Sequence, residues 1–181
     1  QYTYHNAKNA ETFGIELDVK KSLDFIGLRG LSLVCNAAYI HSRVRFEEGA
    51  PERDRPLAGQ SPYLVNAGLF YQHDDKGISA SLLYNRIGKR IESVGVPMQN
   101  QNEDIPDIYE MPRNSLDLTF SKKIGKVVEI KSGIQDMLNS KIEYKQFVKL
   151  ADENGGKRER EQLVRSYRPG VDINVGVSLK F

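Results

Sequence analysis

The sequence has one cysteine, Cys35, and no tryptophan among its 181 residues. A single cysteine excludes a disulfide framework and any cysteine-built zinc site. No run of apolar residues approaches the roughly 18–20 that a membrane-crossing helix needs, so a helical membrane protein is excluded. A membrane β-barrel is not excluded, because alternating strands average out to a polar composition. Charge of one sign is missing too. The 26 Lys and Arg stand against 24 Asp and Glu, net +2, so nothing points to a nucleic-acid partner. Apolar residues make up 39%, under the roughly 45–50% of soluble domains, and mean hydropathy is −0.51. The length suits one domain or a piece of a larger one. Gln1 opens directly into polar residues without a signal-peptide pattern, which predicts a cytosolic protein, a processed chain or a fragment.

What is present is period-two alternation. At the C-terminus Val171, Ile173, Val175, Val177, Leu179 and Phe181 are apolar, with Asp172, Asn174, Gly176, Ser178 and Lys180 between them. A helix cannot gather that odd-numbered set on one side, because its faces recur every three and four residues. Similar stripes run through Phe13–Val19, Leu31–Tyr39, Tyr63–Tyr71, Ile78–Tyr84, Leu116–Phe120 and Val128–Ile134. These predict an all-β chain, an antiparallel up-and-down meander of about seven strands near 11–22, 29–46, 62–73, 77–93, 113–122, 127–147 and 165–181.

The connections alternate between short and long. Short ones fall near 24–27, 74–77 and 123–126; long polar ones fall near 47–60, 95–111 and 149–165. That places one plain rim opposite one elaborated rim, as in outer-membrane barrels. The polar stripes carry Gly14, Gly68, Gly133 and Gly176 with Ser, Asn, Asp and Lys, a set suited to a wet or plugged lumen. The apolar stripes would then meet lipid, with Tyr39, Tyr63, Tyr71, Tyr84 and Phe181 near their ends as an interfacial girdle. A soluble antiparallel barrel with the same alternation is the competing reading.

Catalytic constellations do not emerge. His5, His41 and His73 are too scattered for a local metal motif. Gly88-Lys89 lacks the rest of a phosphate-binding loop. Asp74-Asp75 and Asp152-Glu153 read as turn chemistry, and Arg158–Arg165, with Glu159 and Glu161 interleaved, as a solvated loop. No nucleophile has a base beside it, so no enzyme, cofactor or metal is expected.

Several stretches resemble one family. Tyr167-Arg168-Pro169-Gly170-Val171, followed by alternation to Phe181, resembles the last strand of TonB-dependent outer-membrane receptors. Gly133-Ile134-Gln135-Asp136-Met137-Leu138-Asn139-Ser140-Lys141-Ile142 is similar to their penultimate strand, departing from it in that Ile142 and Tyr144 replace the usual aromatic position. Asn6, Ala10 and Phe13-Gly14-Ile15-Glu16-Leu17 resemble a strand entry of these barrels, and Arg55–Pro62 a loop leading into a strand. Tyr84-Asn85-Arg86-Ile87-Gly88 has a Bacteroidetes-like phrasing.

The resemblance implies that residues 1–181 are the C-terminal segment of a 22-stranded barrel, without its plug domain. The full protein would take up a scarce large solute, such as a siderophore, cobalamin or glycan, with energy transduced by TonB. Its implied partners are outer-membrane lipid, the TonB complex through the missing N-terminal part, the barrel-assembly machinery through the C-terminal strand, and the external solute. In the terminal strand Val171, Ile173, Val175, Val177, Leu179 and Phe181 are expected to face lipid, and Asp172, Asn174, Ser178 and Lys180 the lumen. No ligand-binding residue can be named. Two other functions fit the pattern: a small autonomous outer-membrane barrel acting as anchor or adhesin, and a soluble lipocalin-like barrel.

Overall fold

The computed structural model describes residues 6–97, 105–151 and 157–180. Its strands are β1 (Asn9–Ser22), β2 (Leu31–Arg45), β3 (Tyr63–His73), β4 (Ile78–Ile87), β5 (Arg90–Ser93), β6 (Ile108–Glu110), β7 (Arg113–Ile124), β8 (Val128–Gln135), β9 (Ile142–Ala151), β10 (Lys157–Tyr167) and β11 (Asp172–Leu179). One turn of 3-10 helix, Asp24–Ile26, is the only helical element among the described residues. The protein is all-β.

The strands form a seven-stranded sheet, β1-β2-β3-β4-β7-β8-β11, and a four-stranded one, β10-β9-β6-β5. Each member of the smaller sheet continues its neighbour in sequence: β5 extends β4, β6 leads into β7, β9 extends β8, and β10 leads into β11. The molecule is therefore a meander of seven chain passes, four of them interrupted at a common level. Every pairing is antiparallel. Residues 23–30, 74–77 and 125–127 connect the passes at one rim. At the other rim lie the connection 46–62 and residues 94–97 and 105–107; residues 98–104 and 152–156 are outside the described residues.

The sequence predicts unbroken strands over 77–93, 127–147 and 165–181, and here the structure differs. Gly88-Lys89, Asp136–Lys141 and Arg168–Val171 break them. The causes are local. Pro169 has no N–H to donate, and Gly170 takes φ +94, a conformation that L side chains rarely adopt. Asp136 and Asn139 both have positive φ, 52 and 43, closing a turn in which Asn139 N donates to Asp136 O at 2.7 Å. A second correction concerns Arg158–Arg165, expected as a solvated loop. It belongs to strand β10, and the loop before it shrinks to 152–156, outside the described residues. Alternating charge conceals a strand from a search for alternating hydrophobicity. On β10 that charge finds cross-strand partners, as in Lys145–Glu161 at 2.6 Å.

The sheet is not closed into a barrel. β1 pairs only with β2, and β11 only with β8, so both edges carry unsatisfied ladder groups. Among the described residues a hydrophobic core is almost absent, and the buried apolar side chains are Val44, Ile91 and Tyr144. The first two lie where residues 55–61 fill the space between β2 and β5. There Val44 N donates to Arg55 O at 2.8 Å, Gly59 N to Ile91 O at 2.7 Å, and Leu57 N to Ser42 Oγ at 3.1 Å. Gly88 N donates to the buried Ser61 hydroxyl at 2.9 Å. The Arg55–Pro62 stretch thus carries the wall upward above the start of β3. Next to it, the Phe46 N–H and the Arg43 guanidinium bind the Asp54 carboxyl and hold it below its ordinary pKa.

Candidate functional site

The candidate functional feature of this molecule is a pair of faces. Residues directly opposite each other on neighbouring strands project to the same side of a sheet, so the register decides which residues share a face. Leu33 pairs with Leu69, Leu69 with Leu82, Leu82 with Leu118, Leu118 with Ile134 and Ile134 with Ile173. That row crosses six strands and is aliphatic throughout. All the apolar stripes in the sequence fall on its side, including Phe13, Ile15, Leu17 and Val19, which pair with His41, Tyr39, Ala37 and Cys35. This face is most open on the edge strands, where Ile15 is 77% exposed and Val175 73%, and mostly half-buried between them.

The opposite face carries ladders of polar side chains. Asp18, Asn36, Asn66, Asn85 and Ser115 stand in one row across five strands. Asn85 Nδ2 donates to Asn66 Oδ1 at 2.6 Å, and Asn66 Nδ2 to Asn36 Oδ1 at 3.3 Å. Asn36 Nδ2 reaches Asp18 Oδ1 and Glu16 Oε1, each at 2.6 Å. Nearer the short turns, Ser81 and Thr119 hydroxyls meet at 2.6 Å and those of Ser79 and Ser121 at 2.8 Å. Ser79, Thr119 and Ser121 border a shallow depression floored by Gly133 and flanked by Lys131 and Asn174. Gly14, Gly68, Gly133 and Gly176 all lie on this side.

This second face is less uniformly polar than the stripes suggest. Ile40, Leu64, Phe70, Leu83 and Ile87 share it. Phe70 lies over Gly68, where an added Cβ would sit 2.7 Å from the ring. At the level of the breaks, Arg113 pairs with Asp136 at 2.6 Å, and Asp117 Oδ1 accepts from Asp136 N at 2.8 Å.

The terminal-strand residues divide as the alternation predicts. Ile173, Val175, Val177 and Leu179 pair with Ile134, Ser132, Ile130 and Val128 on the apolar side. Asp172, Asn174 and Ser178 pair with Gln135, Gly133 and Glu129 on the other. Val171 and Lys180 flank β11, and Lys180 N still donates to Val127 O at 2.8 Å. Phe181 lies outside the described residues.

The structure brings together two of the stretches that resemble receptor strands. Arg168 Nη1 donates to Asn139 O, and Gly170 N to Asn139 Oδ1 at 3.1 Å. Other clusters had no signal in the sequence. Lys89 Nζ sits 4.3 Å from the ring centroid of Tyr109 and 4.0 Å from that of Phe147. Arg165 lies 4.1 Å over Tyr144. Both contacts join residues far apart in the chain. The histidines stay apart: His41 stacks on Phe13 at 5.0 Å, His73 Nδ1 accepts from Lys76 N at 3.4 Å, and His5 lies outside the described residues. No cluster of three metal-ligating side chains occurs among the described residues. Comparison with protein-family models, with curated proteins and with solved structures finds no match.

Proposed function

We infer that this chain is a wall segment of a transmembrane β-barrel whose apolar face meets lipid and whose amide- and hydroxyl-bearing face lines the lumen. The observation that carries the reading is the aliphatic row Leu33–Leu69–Leu82–Leu118–Ile134–Ile173, in which no member is buried: Leu69 and Ile173 are exposed and the other four half-buried. A water-soluble monomer rarely exposes a contiguous apolar patch of more than a few hundred Å², and here one face of a seven-stranded sheet is apolar from edge to edge, exposed on its outer strands and half-buried between them. In a bilayer that face meets acyl chains instead of water, and the antiparallel ladders pair the backbone of neighbouring strands with each other.

The resemblance to TonB-dependent receptors makes the segment the C-terminal part of a 22-stranded barrel in the bacterial outer membrane. The complete receptor would import a scarce large solute. The open sheet supports a large barrel over a small autonomous one, which would pair its first strand with its last. The soluble lipocalin-like alternative needs the apolar face folded inward over a packed interior.

The absence of tryptophan gives a direct test. In vesicles with brominated acyl chains, a tryptophan at position 175 should be quenched by the lipid, and one at 174 by an aqueous quencher. Equal lipid quenching at both positions would sink the face assignment. A chain that stays dissolved without detergent would favour the soluble barrel.

A further inference from the structure

Toward the rim of long connections, the apolar face gives way to tyrosines and arginines, with Arg43 and Arg45 beyond Tyr39 on β2 and Arg86 on β4. Arg86 stands on this face between Val65 and Asn114. Its Nη1 donates to Asn114 Oδ1 at 2.8 Å, and its Nε to the Tyr63 hydroxyl at 3.4 Å. The guanidinium also lies 6.0 Å from the Tyr63 ring centroid. Tyr84 donates its hydroxyl to the same Asn114 oxygen at 2.8 Å. All these partners are neutral.

Neighbouring arginines are matched to carboxylates: Arg43 to Asp54 and Arg45 to Glu11, each at 2.9 Å, Arg90 to Glu110 at 2.7 Å, and Arg113 to Asp136 at 2.6 Å. Arg86 has no carboxylate partner among the described residues. An unmatched guanidinium beside an apolar band is costly until an anion joins it. Its planar fork fits phosphate oxygens bidentately. Tyrosines gather at the headgroup level of a bilayer, with the ring in the apolar zone and the hydroxyl in the wet one. In the next row toward the short turns, the small side chains of Cys35 and Ala67 stand beside Tyr84.

We propose that Arg86, framed by Tyr63, Tyr84 and Asn114, binds the phosphate of an anionic lipid headgroup. The site rests on the lipid-facing reading of the apolar face. It adds that this face selects among lipids at one point on its boundary.

The test uses the full chain reconstituted in phosphatidylcholine vesicles with trace spin-labelled phosphatidylglycerol or spin-labelled phosphatidylcholine. The readout is the motionally restricted fraction of each label. Wild type should favour the anionic label about fivefold at low salt, the effect of one basic residue near a membrane surface. Arg86→Gln should bring the ratio to near parity. Arg86→Lys, which keeps the charge without the fork, should retain about twofold. The charge-neutral pair Glu11→Gln with Arg45→Gln should leave the preference intact. Wild type alone also gives a test without variants, because about 1 M salt should abolish the preference by screening. Parity in wild type, a preference that survives Arg86→Gln, or one indifferent to salt would overturn the site. If both labels are restricted equally, the headgroup site fails and the lipid-facing wall stands. If neither label is restricted, both fail.

Discussion

Asn139 and Gly170 join the last two chain passes where both are interrupted: Gly170 N donates to the Asn139 side-chain oxygen at 3.1 Å. Asn139 holds φ 43, a left-handed conformation that asparagine tolerates better than most residues. Replacing it with Ala removes the acceptor and adds backbone strain, at a combined cost of about 2 kcal/mol. Asn139→Gly keeps the conformation and loses only the bond, at about 1 kcal/mol. Urea midpoints of the refolded variants in detergent micelles would measure the difference, and equal costs would remove the strain from the account.

This contact also marks where the sequence stopped being readable. Tyr167–Val171 and Gly133–Ile142 stand out as segments, but nothing in either says that they meet. The seven passes were legible because stripes such as Phe13–Val19 and Val171–Phe181 alternate without a fault, and hydrophobic period is a local signal. The second sheet was hidden. β10 alternates charge with charge, β6 has only three residues, and the breaks at 88–89 and 136–141 depend on turns that neighbouring strands stabilise. The Asn36–Asn66–Asn85 ladder was invisible for the same reason, since each asparagine sits on a different strand and only the register aligns them.

In the terminal strand, opposite substitutions should have unequal effects. Val175→Arg places a charge on the apolar face, 73% exposed, opposite Ser132. Near a bilayer midplane that costs roughly 2–4 kcal/mol. Asn174→Arg enters the depression beside Ser79, Ser121 and Gly133 on the polar face and should cost less than about 1 kcal/mol. Refolding titrations into lipid vesicles would compare them, and matching losses would reverse the assignment of faces.

Interrupting the asparagine ladder at its centre should be felt on both sides. Asn66 accepts from Asn85 and donates to Asn36. Asn66→Val removes both bonds on a partly wet surface, where each is worth about 0.5–1.5 kcal/mol. The expected loss is about 1–2 kcal/mol in denaturant unfolding. The double variant Asn66→Val with Asn85→Val should cost less than the sum of the singles, because the bond they share is lost only once. Strict additivity would show that the ladder does not act as a unit.

Acid should loosen the first short turn. The Ser22 hydroxyl and the Gly30 N–H bind Asp24 at 2.7 and 2.9 Å and hold its carboxyl below the ordinary value of 3.8. A group whose folded pKa is depressed adds stability above its unfolded pKa, and loses it as pH falls through the folded one. Amide exchange in residues 23–30 should therefore quicken only below about pH 4. Asp24→Asn should remove that dependence. An unchanged acid limb in the variant would assign it to other carboxylates.

Gly68 shows where strand propensity and the actual surface disagree. Glycine weakens a strand interior, so Gly68→Ala should stabilise by roughly 0.5–1 kcal/mol on propensity alone. Its Cβ would however lie 2.7 Å from Phe70 Cε2 and 2.9 Å from Leu83 Cδ2. Both side chains are more than a third exposed and able to shift, but the shift lifts the ring from the backbone it covers. Overpacking of this kind costs about 1–3 kcal/mol, which outweighs the propensity gain. Gly68→Ala should therefore destabilise by about 1 kcal/mol in wild type. In a Phe70→Ala background the ring is gone, and the same substitution should become neutral or stabilising. The sign change, read from unfolding midpoints of the four members of the cycle, would identify Gly68 as the seat of the Phe70 ring. The same destabilisation in both backgrounds would place the conflict at Leu83 instead.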